Sequence, residues 1–285
     1  MTKFFISNHA AALAAVLAPF GLTASVEAEF GDECVAGSVA TLAHHGPRAG
    51  NPAPCLADNG AAGEVEAVGL SHLDLDSVGG CAAVLGRKPE TPGFWLLAAF
   101  VDLNGPHKLG QAGAEPADIV RLYAFWAWSN GHRCLPPRDG SAAEVTEQVM
   151  EAVRVVERIC ADDPELLAAG EAFRSAEVAL NAQSFVEAGG GVAVRVADTF
   201  VSHLYVDPEG DLAKAVVAFN TVTGAVTVSI ADPIPGVSAR EIVQGLWGEA
   251  AGGHAGIAGS PRGQRMMLAD VVAAVEATRA VIAKA

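Results

Sequence analysis

Short apolar runs recur through the first half of the chain, and most are followed at once by residues that can do chemistry. Lys3 to Ser7 predicts a buried strand, and the Ala/Leu-rich stretch from about Ala10 to Ala18 predicts a helix that Pro19 and Gly21 end. One Lys before an apolar run, with Thr23-Ala24-Ser25 after it, also has the layout of a secretory signal, although Asn8 and His9 interrupt the run. Val35 to Leu42 and Val65 to Leu70 are further runs, the second a compact strand candidate, with Gly79-Gly80 opening a helix after it. Phe94 to Val101 is too short for its period to separate strand from helix. The stretch LYAFWAWSNGHR is helix-like, and its Tyr123, Phe125, Trp126 and Trp128 read as core rather than as a stacking platform.

Helical spacing is plain further on. Val145, Val149, Val153, Val156 and Ile159 make one apolar face, and Ser141-Ala-Ala-Glu144 has the form of a capping box that would open their helix. Asp163-Pro164 restarts a second helix, running to about Gln183. Gly189-Gly190-Gly191 then marks a domain junction. Val192 to Val196, Phe200 to Val206, Ala213 to Phe219 and Ala225 to Ile230 predict strands, with turns at Asp207-Pro-Glu-Gly210 and Thr223-Gly224. Ser238-x-x-Glu241 is a second capping box, for a helix ending near Gly248, and Leu268 to Ala283 predicts a final helix. No fixed-period repeat is visible.

This order of elements predicts an α/β fold: an N-terminal, mainly parallel-sheet domain over residues 1–140, a helical linker over 141–188, and a smaller C-terminal α+β domain over 189–285. A chain of 285 residues that is 51% hydrophobic can fill two cores, and 18% charged residues without a polar tract exclude wholesale disorder. Asp and Glu number 33 against 18 Lys and Arg, a net charge of −15, which excludes wrapping of long duplex nucleic acid. It leaves room for a small phosphorylated substrate held at a metal, because a bound cation inverts the local field. Cys34, Cys55, Cys81, Cys134 and Cys160 are widely spaced with no CxxC pair, which argues against a disulfide scaffold or zinc ribbon and for a reducing cytoplasm. No segment beyond the N-terminal stretch reaches the roughly 18 apolar residues of a membrane span, so no membrane partner is expected. Neither a GxSxG elbow nor a GxxxxGK[ST] loop occurs.

The densest chemistry lies in EVEAVGLSHLDLDSVGG, Glu64 to Gly80. His72, Asp74 and Asp76 follow the strand at its carboxyl end, where open α/β sheets bind ligands. Carboxylates with an imidazole suit Mn²⁺ or a similar cation better than thiolate-seeking zinc. The competing reading is a capped turn, with Asp74 or Asp76 as helix N-cap. Asp102 and His107 sit in VDLNGPHKLG, where Asn104-Gly105-Pro106 can turn His107 back toward Asp102; the alternative is a loop with a capping Asp. Gly252-Gly253-His254-Ala255-Gly256-Ile257-Ala258-Gly259 can let backbone N–H groups approach an anion, with His254 as a further donor, or can form a helix C-cap and tight turn.

SHLDLDSVGG resembles the first motif of the DHH phosphoesterase superfamily, and GGHAGIAG resembles the GGH…AAG signature of the DHHA1 domain that usually accompanies it. The preceding VTVSIADPIPGVSAREIVQGLWGEA has that domain's order of strand, loop, capped helix and glycine motif. His44 and His45, in TLAHHGPRAGNPAPC, look like the paired His of the namesake motif. Ala43 stands where the motif has Asp, and the pair precedes the HxDxD segment. Ser7-Asn8-His9 follows a strand where the family usually has its first motif.

The resemblance implies a phosphoric ester hydrolase in which His72, Asp74, Asp76 and Asp102 hold one or two Mn²⁺ ions, with Mg²⁺ or another divalent cation as substitute. An activated water attacks phosphorus, and His107, or one of His44 and His45, protonates the leaving group or orients the phosphate. Gly252, Gly253 and His254 hold the distal part of the substrate. Arg48, His132 and Arg133 are candidate phosphate contacts. Family members often carry an Arg near Ser229-Ile230-Ala231-Asp232; none stands there, and Arg262 is the candidate to compensate. The expected substrate is a nucleotide, a short oligonucleotide end or a similar phosphodiester, and the assembly this allows is a homodimer. The alternatives are a catalytically weakened nucleotide- or phosphate-binding module and a pyrophosphate or polyphosphate hydrolase.

Overall fold

The computed structural model describes residues 2–30 and 33–285, the side chains at positions 29, 30, 33 and 34 excepted. The fold is α/β. It divides into two compact units, the first running to Arg174 and the second from Ser175 to Ala285.

In the first unit, β1 (Lys3–Ile6) leads through α1 (Ala10–Leu17) to β2 (Thr23–Val26). A small antiparallel ribbon, β3 (Glu29–Phe30) and β4 (Glu33–Cys34), precedes β5 (Ala40–Leu42) and β6 (Ala67–Leu70). Helices α2 (Leu75–Val84), α3 (Pro92–Asn104) and α4 (Pro116–Gly131) follow, then β7 (Ala143–Glu144), α5 (Thr146–Cys160) and α6 (Pro164–Ser184), whose last residues, from Ser175 on, belong to the second unit. The sheet order is β5-β2-β6-β1-β7, parallel except for β7 at the edge. Alternation along the strands sorts the faces. Phe4, Ile6, Ala24, Val26, Val68 and Leu70 enter the core shared with α2 to α5, while Ala67 meets Leu13 and Leu17 of α1, and Phe5 packs beside them. Being covered on both faces, β6 reads as a continuous apolar run rather than an alternating one. Gly69 belongs to this packing, since a Cβ there would stand 3.1 Å from Leu17 Cδ1. The run Phe94 to Val101, undecided by its period, is helix.

Two local expectations are corrected. Ser141 to Glu144 is not a capping box: Ala143–Glu144 pairs antiparallel with β1, and α5 starts only at Thr146. The free edge of β1 offers backbone partners, and Glu144 accepts instead from Lys3 Nζ at 2.6 Å and from Thr146 Oγ1 at 3.0 Å. The apolar face itself is as expected, with Val149, Val153, Val156 and Ile159 all 1% exposed or less. Gly79 and Gly80 do not open a helix but lie inside α2. They let it close on the turn Pro54–Leu56, for a Cβ on Gly79 would lie 2.5 Å from Cys55 Cβ and one on Gly80 2.7 Å from Val26 Cγ1.

The second unit contains β8 (Phe185–Gly189), β9 (Val192–Ala197), β10 (Ala215–Asn220), β11 (Val226–Ile230), α7 (Ala239–Trp247), β12 (Gly252–Gly253), β13 (Ile257–Gly259) and α8 (Leu268–Ile282). Its sheet order is β12-β13-β11-β10-β9-β8, antiparallel except between β9 and β10. Gly190 and Gly191, read from the sequence as a domain junction, form the two-residue turn of the β8–β9 hairpin at φ 60° and 79°. Phe200 to Val206 is not a strand and carries one bridge, Val206 to Leu212. The fully buried Arg195 claims its carbonyls instead, donating to Leu204 O at 3.1 Å and Val206 O at 2.7 Å. Ser238 caps α7, accepting from Glu241 N at 3.3 Å.

Among the described residues no helix is long and apolar enough to cross a membrane. Cys55, Cys81, Cys134 and Cys160 are free thiols, and Cys34 lies outside the described side chains.

Candidate metal centre

Because β1, β2, β5 and β6 run in one direction, their carboxyl ends share one edge of the sheet. Strand β2 delivers Glu27 there, β5 delivers His44 and His45, and β6 delivers Ser71 and His72. Asp76 stands in the first turn of α2, and Asp102 near the end of α3. Glu27 has φ 46°, a left-handed conformation uncommon for a non-glycine residue. Its neighbours hold it there. Its N–H donates to Leu42 O at 2.9 Å, and its carbonyl accepts from Ser71 Oγ. Strain of this kind persists where the surroundings over-determine the backbone, which is common at functional sites.

Five side chains converge at this edge in two ligand-type groups, Glu27/His44/His45 and His44/Asp76/Asp102, with His44 in both. His44 Nε2 lies 2.9 Å from Asp102 Oδ2, 3.4 Å from Asp76 Oδ2 and 3.7 Å from Glu27 Oε1. His45 Nε2 lies 3.3 Å from Asp102 Oδ2 and 3.5 Å from Glu27 Oε2. Glu27, His44 and Asp76 are buried, while His45 is exposed. Glu27 Oε1, His44 Nε2, Asp76 Oδ2 and Asp102 Oδ2 are buried atoms without a hydrogen-bond partner of acceptable geometry. Buried polar atoms are seldom left in that condition, and buried carboxylates gathered together are costlier still. Oxygens and nitrogens bound to one small divalent cation at about 2.0–2.2 Å stand roughly 3 Å apart, close to the spacings seen here. This buried His/Asp/Glu cluster can hold a metal.

The electrostatics agree. Burial pushes the Glu27 carboxyl from 4.5 up to about 8, and the charges of Asp76 and Asp102 add to it. Burial also raises Asp76, against hydrogen bonds from Cys55 that favour its ionised form. Cys55 N donates to Asp76 Oδ1 at 2.9 Å, which leaves Oδ2 for the cluster. The Cys55 thiol is itself pushed far up, first by burial and then by Asp76. That argues against a thiolate ligand.

The two readings of the HxDxD segment hold at different residues. Asp74 is the N-cap of α2, in a reciprocal capping box with Ser77 at 2.9 and 2.8 Å. Asp76, two residues on, belongs to the cluster. His72 Nε2 meets Asp74 Oδ2 at 3.2 Å and Nδ1 meets Ser71 Oγ at 2.7 Å, so the ring is held at both nitrogens. The Asp74 hydrogen bond raises His72 against the opposing effect of burial. Burial pushes Asp74 up, but His72 and Ser77 together hold it below the ordinary range. His72 and Asp74 thus form a pair that acts on Glu27 through its charge, outside the two converging groups.

Elsewhere, His107 folds its ring over Gly105, which has φ 85° and whose Cβ would lie 2.6 Å from His107 Cε1. Arg48 is half-buried in the turn Gly46–Arg48, directly after His45. Arg133 is exposed beyond α4, 3.3 Å from Asn130 Oδ1. In the second unit the glycine signature is an edge hairpin, β12 to β13, rather than a helix cap. Gly253 lies so close to its partner strand that a Cβ would stand 2.4 Å from Ile257 O. Gly252, Gly253 and Arg262 line an open concavity with Arg240, Gln244 and Ser260. His254 is exposed, its N–H donating to Ile257 O at 2.7 Å. Glu27 is the cluster member that the motif reading did not single out. Its signal is positional, a carboxylate directly after a short strand, the place His44 and His72 nearly share. Compared with protein-family models, curated proteins and solved structures, the chain matches none.

Proposed function

We propose that this chain is a metal-dependent phosphoesterase of the DHH type, acting on a small phosphorylated substrate. The observation that carries the reading is the convergence of Glu27, His44, His45, Asp76 and Asp102, with four buried donor atoms left without hydrogen bonds, at the carboxyl edge of a parallel sheet. These five residues would hold the cation, and carboxylates mixed with imidazoles suit Mn²⁺ or a similar borderline cation better than a thiolate-seeking metal. A bound divalent cation supplies Lewis-acid polarisation of a phosphoryl oxygen and a more acidic water. Asp74 accepts from His72 Nε2 and Ser71 Oγ holds Nδ1, which fixes His72 beside the cluster as a neighbouring charge rather than as a free proton donor. The resemblance of SHLDLDSVGG and GGHAGIAG to the DHH and DHHA1 motifs supports the same reading. The His pair lacks the Asp of the namesake motif, Ala43 being buried in its place, and Glu27 brings a carboxylate to the same edge from the neighbouring strand. The net charge of −15 favours a small substrate over a long polyanion.

The test is metal content by elemental analysis, calorimetric titration with Mn²⁺, and turnover of bis-p-nitrophenyl phosphate. Saturable Mn²⁺ binding with Mn²⁺-dependent turnover that Asp76→Asn abolishes is expected. Metal and phosphate binding without turnover of any phosphoester would replace the enzyme by a binding module. No metal binding would remove the reading altogether.

A further inference from the structure

A separate cavity stands beside the metal cluster, meeting its flanking His72–Asp74 pair at Asp74. Leu73, Asp74, Phe125, Trp126, Trp128 and Arg133 line it, and its volume is about 330 Å³. That is the lower end of the range of small-molecule sites, about 300–1,000 Å³. Asp74 belongs to both places: it lines the cavity and holds His72 through Oδ2. The aromatic residues that the sequence suggested were core are core only in part. Phe125 is buried at 2% exposure, whereas Trp126 and Trp128 are half-buried with surface left over. Trp128 carries the His132 ring stacked on it, centroids 4.8 Å apart and planes 11° from parallel, and His132 Nδ1 meets Trp128 O at 2.7 Å. The stacked pair is a flat wall fixed at the C-terminal end of α4. Arg133 and Asn130 are exposed among the lining residues, where a guanidinium can meet an anion or the face of a ring.

We propose that this cavity receives a planar aromatic ring on the alcohol side of the phosphate ester, stacked against the Trp128–His132 wall, with the phosphate directed past Asp74 toward the cluster. The inference deepens the phosphoesterase reading, and rests on it for the phosphate but not for the ring. An alkyl chain could fill the same volume, yet only a flat ring gains from an aromatic wall. Such stacking is worth about 1–3 kcal/mol, roughly 5- to 150-fold in affinity.

The experiment uses the full chain with phenyl phosphate and ethyl phosphate as probes, followed by tryptophan fluorescence and calorimetry, with and without Mn²⁺. Phenyl phosphate should bind at least about fivefold more tightly than ethyl phosphate. The preference should shrink in His132→Ala, which removes an exposed side chain at little cost to the fold, and in Trp128→Leu. Equal binding of the two probes, binding of neither, or a preference untouched in both variants would overturn the proposal. Mn²⁺ titration of the same samples judges the metal centre separately. A ring preference that persists where no Mn²⁺ binds would sink the metal centre and keep the cavity, and Mn²⁺ binding with no ring preference would do the reverse.

Discussion

Glu27→Gln keeps the side chain's size and removes one charge from the buried cluster, so it isolates the electrostatic cost of that cluster. The carboxyl of Glu27 lies at about 8 in the folded protein against an ordinary 4.5. The folded chain therefore holds this proton more tightly than the unfolded chain does. Its contribution to stability is fully present below about pH 4.5 and is lost as pH rises through about 8. At about 1.4 kcal/mol per tenfold, that interval corresponds to roughly 5 kcal/mol. Relaxation of the protein around a buried charge lowers the effective figure to about 2–3 kcal/mol. For a unit of this size, each kcal/mol moves the thermal midpoint by about 2–4 °C. The assay is thermal unfolding of EDTA-treated protein between pH 5 and pH 8.5, repeated with saturating Mn²⁺. Wild-type protein with EDTA should lose about 4–12 °C across that range, and Mn²⁺ should abolish the loss. Glu27→Gln should show a much flatter profile with EDTA and gain less from Mn²⁺. If its midpoint falls with pH as steeply as the wild type's, the cluster does not carry the repulsion described here.

Three further outcomes follow from the same geometry. Asp76→Asn should lower Mn²⁺ affinity by more than the roughly 10–100-fold that the loss of a ligand's supporting partner costs, while the denaturant midpoint changes little, since the asparagine oxygen can still accept from Cys55 N. Gly79→Ala should destabilise by about 1–3 kcal/mol in urea and weaken Mn²⁺ binding too, because the new Cβ meets the Cys55 backbone, whose N–H orients Asp76; an unchanged midpoint would refute the close packing. Asp74→Ser retains an N-cap oxygen, so its stability should match the wild type within a few tenths of a kcal/mol, whereas Asp74→Ala should cost about 0.5–2 kcal/mol. In both variants the His72 titration followed by NMR should move to lower pH, because the Asp74 hydrogen bond is what raises His72.

The division between what the residues declare and what the fold decides is sharp at particular positions. Helix faces were legible because burial follows a local period: Val149, Val153, Val156 and Ile159 face inward whatever they meet. The strand candidates around β6, β9, β10 and β11 were legible for a different reason, as short Val-rich apolar runs that are buried almost continuously. Ser141 to Glu144 was misleading because its competitor, the open edge of β1, lies about 140 residues away in sequence. Phe200 to Val206 was misleading because the side chain that takes its carbonyls, Arg195, announces nothing in that segment.

The sequence by itself determined the ligand-bearing segments, since His44, His45, Asp76 and Asp102 each follow or flank an apolar run that had to be regular structure. Only the tertiary structure decided the set. Parallel pairing of β5, β2 and β6 put three strand ends on one edge, and that brought Glu27 in and left His72 and Asp74 as a pair at its side. The choice between Asp74 as cap and Asp76 as cluster member rests on a φ/ψ change at the start of α2 and on the N–H of Cys55, supplied from a turn that α2 can approach only through Gly79 and Gly80. Which side chains face one another is a long-range property, set by strand order and close packing, and a chain read one segment at a time does not contain it.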